Sequence, residues 1–167
     1  MKYHFLLLFS FFLSNSFSQG FVKIGESEVV LNSLSVEETQ LFLEENINKF
    51  CFQESPFKEL FPYKATFIGD YLRLVNLDPE NENELNNELI FDFSNVYAFK
   101  EISKKSDKRA YLIVYVSVLT NEKKNSWDKH KLKIRVNNYL VAKSILNALK
   151  HYNSLLMEKD YSEKKGF

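Results

Sequence analysis

The sequence predicts an α+β domain: an antiparallel, strongly bent sheet or partly open barrel of five to seven strands, with an N-terminal helix before it and a long C-terminal amphipathic helix after it. Three observations carry that prediction. A capped helical pattern begins at Ser35, period-two alternation recurs in short pieces between Tyr63 and Val136, and an apolar stripe of helical period runs from Val141 to Leu156.

The first helix is announced by Ser35 with Glu38 three residues on, the spacing of a capping box. Val36, Leu43, Ile47, Phe50 and Cys51 then fall on one face, so Cys51 is expected at the edge of a buried stripe as a small core hydrophobe. Pro56 and Pro62 end that region. Tyr63 to Val75 reads as two short strands broken at Gly69-Asp70, with Leu72 and Leu74 alternating against Tyr71, Arg73 and Val75. Residues 76–88 form a polar acidic loop. Its carboxylates alternate as in a calcium loop, but the glycine and terminal glutamate of an EF-hand are missing at the required spacing. A solvated loop is the better reading.

Leu89, Phe91 and Phe93 begin the next strand, Ser94-Asn95 interrupts it, and Val96 to Ile102 resumes an extended pattern. After a charged turn at Lys104 to Arg109, the β-branched and aromatic run Ala110 to Leu119 is the candidate for the most buried strand. Asn121 to Asp128 reads as a polar turn. Lys129 to Val136 then alternates strictly, with Lys129, Lys131, Lys133 and Arg135 on one side and His130, Leu132, Ile134 and Val136 on the other. The last helix starts after Asn137-Asn138 and carries Val141, Ile145, Ala148, Leu149, Tyr152, Leu155 and Leu156 on one face. Residues 158–167 lack periodicity and are expected to fray.

The order of strands followed by a terminal helix, with Phe67-Ile68-Gly69-Asp70-Tyr71-Leu72-Arg73-Leu74 opening the sheet, resembles the pleckstrin-homology-like barrel over about residues 63–156. That resemblance implies a bent sheet plugged at one end by the last helix. A helix ahead of the sheet departs from the familiar pattern. A curved sheet wrapped on the last helix without barrel closure is the alternative.

At the other end of the chain, Met1-Lys2-Tyr3-His4 followed by an apolar run from Phe5 to Leu13 has the order of a secretory signal. The run is about half of the ~20 residues a membrane-spanning helix needs. Ser16-Phe17-Ser18 offers small residues for cleavage before Gln19, leaving 19–157 as a single domain, periplasmic or secreted. The Phe-rich signal ending in Ser-x-Ser-Gln resembles those of exported Bacteroidetes proteins. Cys51 is the only cysteine, so no disulfide forms within the chain.

The 167 residues hold 22 basic and 22 acidic side chains, a balance that gives no global field to steer nucleic acid or an anionic membrane. Any electrostatic partner must be read locally. The glycines at 20, 25, 69 and 166 build no phosphate loop, dinucleotide fingerprint or nucleophile elbow, and His130 and His151 have no zinc-site spacing around them. No catalytic residue, metal ligand or cofactor is expected.

What remains is Trp127 beside the cation row Lys129, Lys131, Lys133 and Arg135, an apolar anchor next to positive charge. The bland reading is a solvated face that guards an edge, with Trp127 folded back on the sheet. The functional reading is a contact with an acidic envelope partner or an anionic surface. The chain is therefore read as an exported, non-catalytic binding domain. An envelope enzyme with a scattered carboxylate and tyrosine site, and an inhibitor or immunity-type accessory protein, are the alternatives.

Overall fold

Residues 33–165 are described by the computed structural model; the expected signal peptide at 1–18 and its cleavage point lie outside them. Helix α1 (Val36–Phe50) starts at the capping box, where the Ser35 hydroxyl accepts from the Glu38 N–H at 3.2 Å and the Glu38 carboxylate accepts from the Ser35 N–H at 2.8 Å. Both bonds satisfy amide donors that have no partner inside the helix. Thr39, Leu43 and Ile47 form its buried stripe, and Val36 and Phe50 pack at the rim.

The helix stops without a turn. Cys51 is its C-cap and also the first residue of β1 (Cys51–Glu54), a strand that the apolar pattern does not announce. Seven antiparallel strands follow the chain order β1, β2 (Leu60–Ile68), β3 (Tyr71–Asn76), β4 (Leu89–Phe99), β5 (Ser103–Ser106), β6 (Arg109–Asn121) and β7 (Ser126–Val136). They lie side by side as β4-β3-β2-β1-β7-β6-β5, and β4 also pairs with β6. The pairing therefore runs in a ring through six strands, and β5 hangs on the outer edge of β6.

Two observations show how the ring is held where it is thinnest. β1 pairs with β7 only through Cys51 and Phe52 and with β2 only through Leu60, Phe61 and Pro62, so the far end of β2 has no strand on that side. There α1 supplies the missing partners from Gln40, Glu44 and Asn48, four residues apart on one face. The Gln40 amide donates to the Gly69 carbonyl at 2.9 Å, the Glu44 carboxylate accepts from Phe67 N–H at 2.7 Å, and Asn48 bonds both the N–H and the carbonyl of Ala65. A row of side chains thus stands in for a strand.

Helix α2 (Tyr139–Lys165) is capped by Asn138, whose side-chain oxygen Oδ1 accepts from Leu140 and Val141 N–H. Val141, Ile145, Leu149, Tyr152 and Leu156 are buried against α1, β4 and β6. Each such side chain contributes about 1.5–3 kcal/mol by leaving water. Tyr152 ties the layers together: its ring packs edge-on against Phe67, and its hydroxyl donates to the Asp70 carbonyl and accepts from Gln40.

Five expectations change in detail. The charged turn expected at Lys104 to Arg109 narrows to Asp107 and Lys108, because Ser103–Ser106 pairs as β5 and β6 begins at Arg109. Pro62 lies inside β2, opposite Phe52, with its carbonyl accepting from the Leu77 N–H just past the end of β3, where the missing donor breaks no strand pairing. Trp127 is in β7 rather than in the preceding turn, paired with Leu119. The break at Ser94-Asn95 is a bulge within one strand, with the Asp92 carboxylate accepting from the Ser94 N–H and hydroxyl. The helix continues from Glu158 to Lys165 where a frayed tail is expected; Lys159 reaches back to Asp70 at 2.6 Å, an anchor that periodicity does not reveal.

Candidate functional site

The alternation of β7 survives folding. Lys129, Lys131 and Lys133 are exposed on the outer face, while Leu132, Ile134 and Val136 are buried and His130 is half-buried inside, with its ring 5.7 Å from Phe91. What the sequence does not reveal is the opposing strand. β6 pairs with β7 in continuous register from Ala110–Val136 to Leu119–Trp127, which sets Tyr111 opposite Arg135, Ile113 opposite Lys133, Tyr115 opposite Lys131 and Ser117 opposite Lys129. The run Ala110 to Leu119 is therefore two faces: Leu112, Val114 and Val116 inside, Tyr111 and Tyr115 outside.

Lysines and tyrosines interleave on this face. The Lys133 ammonium sits 4.5 Å from the centre of the Tyr111 ring, and Lys129 sits 4.9 Å from Tyr97 and 5.4 Å from Tyr115. Lys100, from the end of β4, adds a fourth cation 5.9 Å from Tyr115. Exposed pairs of this kind contribute about 0.5–1 kcal/mol each. They bias where the flexible ammonium groups rest without neutralising them.

Lys129, Lys131 and Lys133 make no ion pair among the described residues. Asp128 is exposed but lies on the other side of the strand, the Asp92 carboxylate on the outer face is occupied with Ser94, and Glu54, whose charge Lys133 also feels, is bound by Tyr111.

Arg135 departs from the row. Only 17% of its side chain is exposed, Nη1 lies 3.6 Å from Glu54, and Nε is buried with no hydrogen-bond partner. Tyr111 donates to the same Glu54 at 2.5 Å. That bond holds the Glu54 carboxyl below its usual range, helped by Arg135, and pushes the Tyr111 hydroxyl up. Both shifts move away from neutral pH, the opposite of what a general acid or base near pH 7 needs. The cluster joins β1, β6 and β7 as a brace.

Trp127 occupies the far end of the row, half-buried, with its ring 5.1 Å from Tyr71 and its indole N–H donating to Asn125 at 2.9 Å. Tyr71 and Tyr97 leave 41% and 49% of their surface exposed, so the row ends in an aromatic rim rather than in a single anchor.

Other candidates resolve into structure. Cys51 is fully buried and burial pushes its thiol well up, which suppresses the reactive thiolate. His151 sits on α2 beside the Leu34 carbonyl at 3.0 Å. In the acidic loop, Glu84 binds both Lys64 and Arg73, and Glu88 binds Arg73. Among the described residues no group of three His, Cys, Asp or Glu could hold a metal, and no helix is long and apolar enough to cross a membrane.

Comparison with protein-family models, with curated proteins and with solved structures gives no match.

Proposed function

We propose that this chain is an exported, non-catalytic binding domain of the bacterial cell envelope, and that its Lys129–Lys131–Lys133 row contacts an anionic surface. The observation that carries the reading is that Lys129 and Lys133 rest on the rings of Tyr97, Tyr111 and Tyr115, with Lys131 between them, and that none of the three makes an ion pair among the described residues. An arrangement that only kept the face soluble would work as well with carboxylates mixed in. Tyrosines that are apolar along the ring and polar at the tip suit an interface where both environments meet. The signal-like order of residues 1–18 supplies the address, periplasmic or secreted. The resemblance to the pleckstrin-homology-like barrel rests on the order of sheet then terminal helix.

The test is co-sedimentation of the chain from Gln19 onward with phosphatidylglycerol vesicles, against phosphatidylcholine vesicles. Binding to the anionic vesicles alone is expected, and it should fall steeply with salt, because exposed charges are screened over about 8–10 Å. Lys129→Glu with Lys131→Glu should abolish it while leaving the circular dichroism unchanged. Equal binding by this variant, or none by the unaltered chain at low salt, would overturn the reading; the second result would turn attention to an acidic protein.

A further inference from the structure

On a different side of the sheet, the chain leaving β4 and the first turns of α2 bound a groove of about 360 Å³. Phe99, Ile102, Tyr139 and Leu146 give it apolar walls, and Lys100, Lys143 and Lys150 stand at its rim. Lys143 and Lys150 are seven residues apart on one helix, two turns and about 10 Å along the axis, so both face the same opening. Both are exposed, and neither makes an ion pair among the described residues.

The walls are held from outside the groove. The Lys100 N–H donates to the Ile113 carbonyl at 3.0 Å, and the Tyr139 N–H donates to the Asp107 carbonyl at 2.9 Å. Lys104 covers the Tyr139 ring at 4.5 Å while bound to Asp107 at 2.7 Å. One carboxylate, Glu101, lines the groove against three lysines, which leaves the rim positive.

We propose that this groove binds a small amphiphilic carboxylate. The apolar body would lie on Phe99, Ile102, Tyr139 and Leu146, and the carboxylate would sit between Lys143 and Lys150, with Lys100 at the mouth. The groove is open to solvent along one side, and its volume of about 360 Å³ is room enough for a medium-length chain. The cations are lysines, point charges suited to one oxyanion, and no arginine lines the groove to grip a phosphate through two parallel bonds. The groove shares Lys100 with the face of the β7 row, but Lys143 and Lys150 belong to it alone, and it does not depend on the function proposed for the row.

The experiment is a titration of the ¹⁵N-labelled chain from Gln19 onward with decanoate below its micellar concentration, followed by amide shifts. Saturable shifts clustered on Phe99–Ile102 and Tyr139–Lys150 are expected, with none from decyltrimethylammonium at the same concentrations. Lys143→Glu with Lys150→Glu, both at exposed helix positions, should weaken decanoate at least tenfold with the remaining spectrum intact. Lys129→Glu with Lys131→Glu should leave it unchanged. Undiminished binding by the helix variant, shifts confined to Lys129–Arg135, or no saturable shift would overturn the proposal.

Discussion

The acidic loop at 77–88 and the lysine row of β7 both carry dense charge of one sign, yet the fold treats them in opposite ways. In the loop, the two carboxylates nearest β2 and β3 are matched: Glu84 lies 2.6 Å from Lys64 and 2.9 Å from Arg73, and Glu88 lies 3.0 Å from the same arginine. The loop is pinned to the outer face of β2 and β3 by those pairs and by Leu77 and Leu85, whose amides donate to the Pro62 and Asn76 carbonyls. In the row, Lys129 and Lys133 rest on tyrosine rings, which place a charge without cancelling it. Charge used for structure ends up paired, and charge left unpaired at fixed positions is available to something outside the domain.

That contrast can be broken experimentally, and the core provides the scale for both regions. Leu149→Asp places a carboxylate in the fully buried stripe of α2 and should destabilise the domain by about 4 kcal/mol or more, whereas Lys150→Asp, one residue on and exposed, should stay within about 0.5 kcal/mol. Urea midpoints that coincide for the two variants would mean that α2 is not docked through this face.

On the loop side, Arg73→Met removes the shared cation and should cost about 1 kcal/mol, small because its partners are exposed enough for water to screen them. The same pairing makes a pH signature. Hydrogen bonds from Arg73 and Lys64 hold the Glu84 carboxyl down at about 2. A depressed carboxyl stabilises the folded state above its ordinary range of about 4.3 and loses that contribution as pH falls toward 2. Urea midpoints followed downward from pH 6 should therefore drop less steeply in Arg73→Met than in the unaltered chain. Parallel acid limbs would show that the loop pairs are not formed in solution.

The smallest expected effect is the most diagnostic. Lys129→Glu with Lys131→Glu should lower stability by no more than about 1 kcal/mol, because no ion pair is lost and the exposed contacts of one ammonium with two rings are the main change. A loss of several kcal/mol would make the row structural like the loop, and the contrast between the two regions would disappear.

Legibility of the fold followed the range of the interaction. The capping box at Ser35 and Glu38, the alternation of Lys129 to Val136 and the stripe from Val141 to Leu156 are each decided within a few turns or one strand, and the sequence alone predicts them. β1 escaped because four residues entered directly from a helix carry neither a turn signal nor a period. The helical course of Glu158 to Lys165 escaped because its visible anchor, Asp70, is far away in sequence.

The site divides in the same way. By itself, the sequence determined that three lysines share a face and that Trp127 is near them, since strand geometry permits nothing else once the strand is granted. Only the tertiary structure decided what that face means. The register of β6 brings Tyr111 and Tyr115 beside the lysines, β4 adds Tyr97, and β1 removes Arg135 from the row by setting Glu54 beside it. Register and strand order arise from contacts between residues tens of positions apart, and local periodicity carries no information about which strand will be the neighbour.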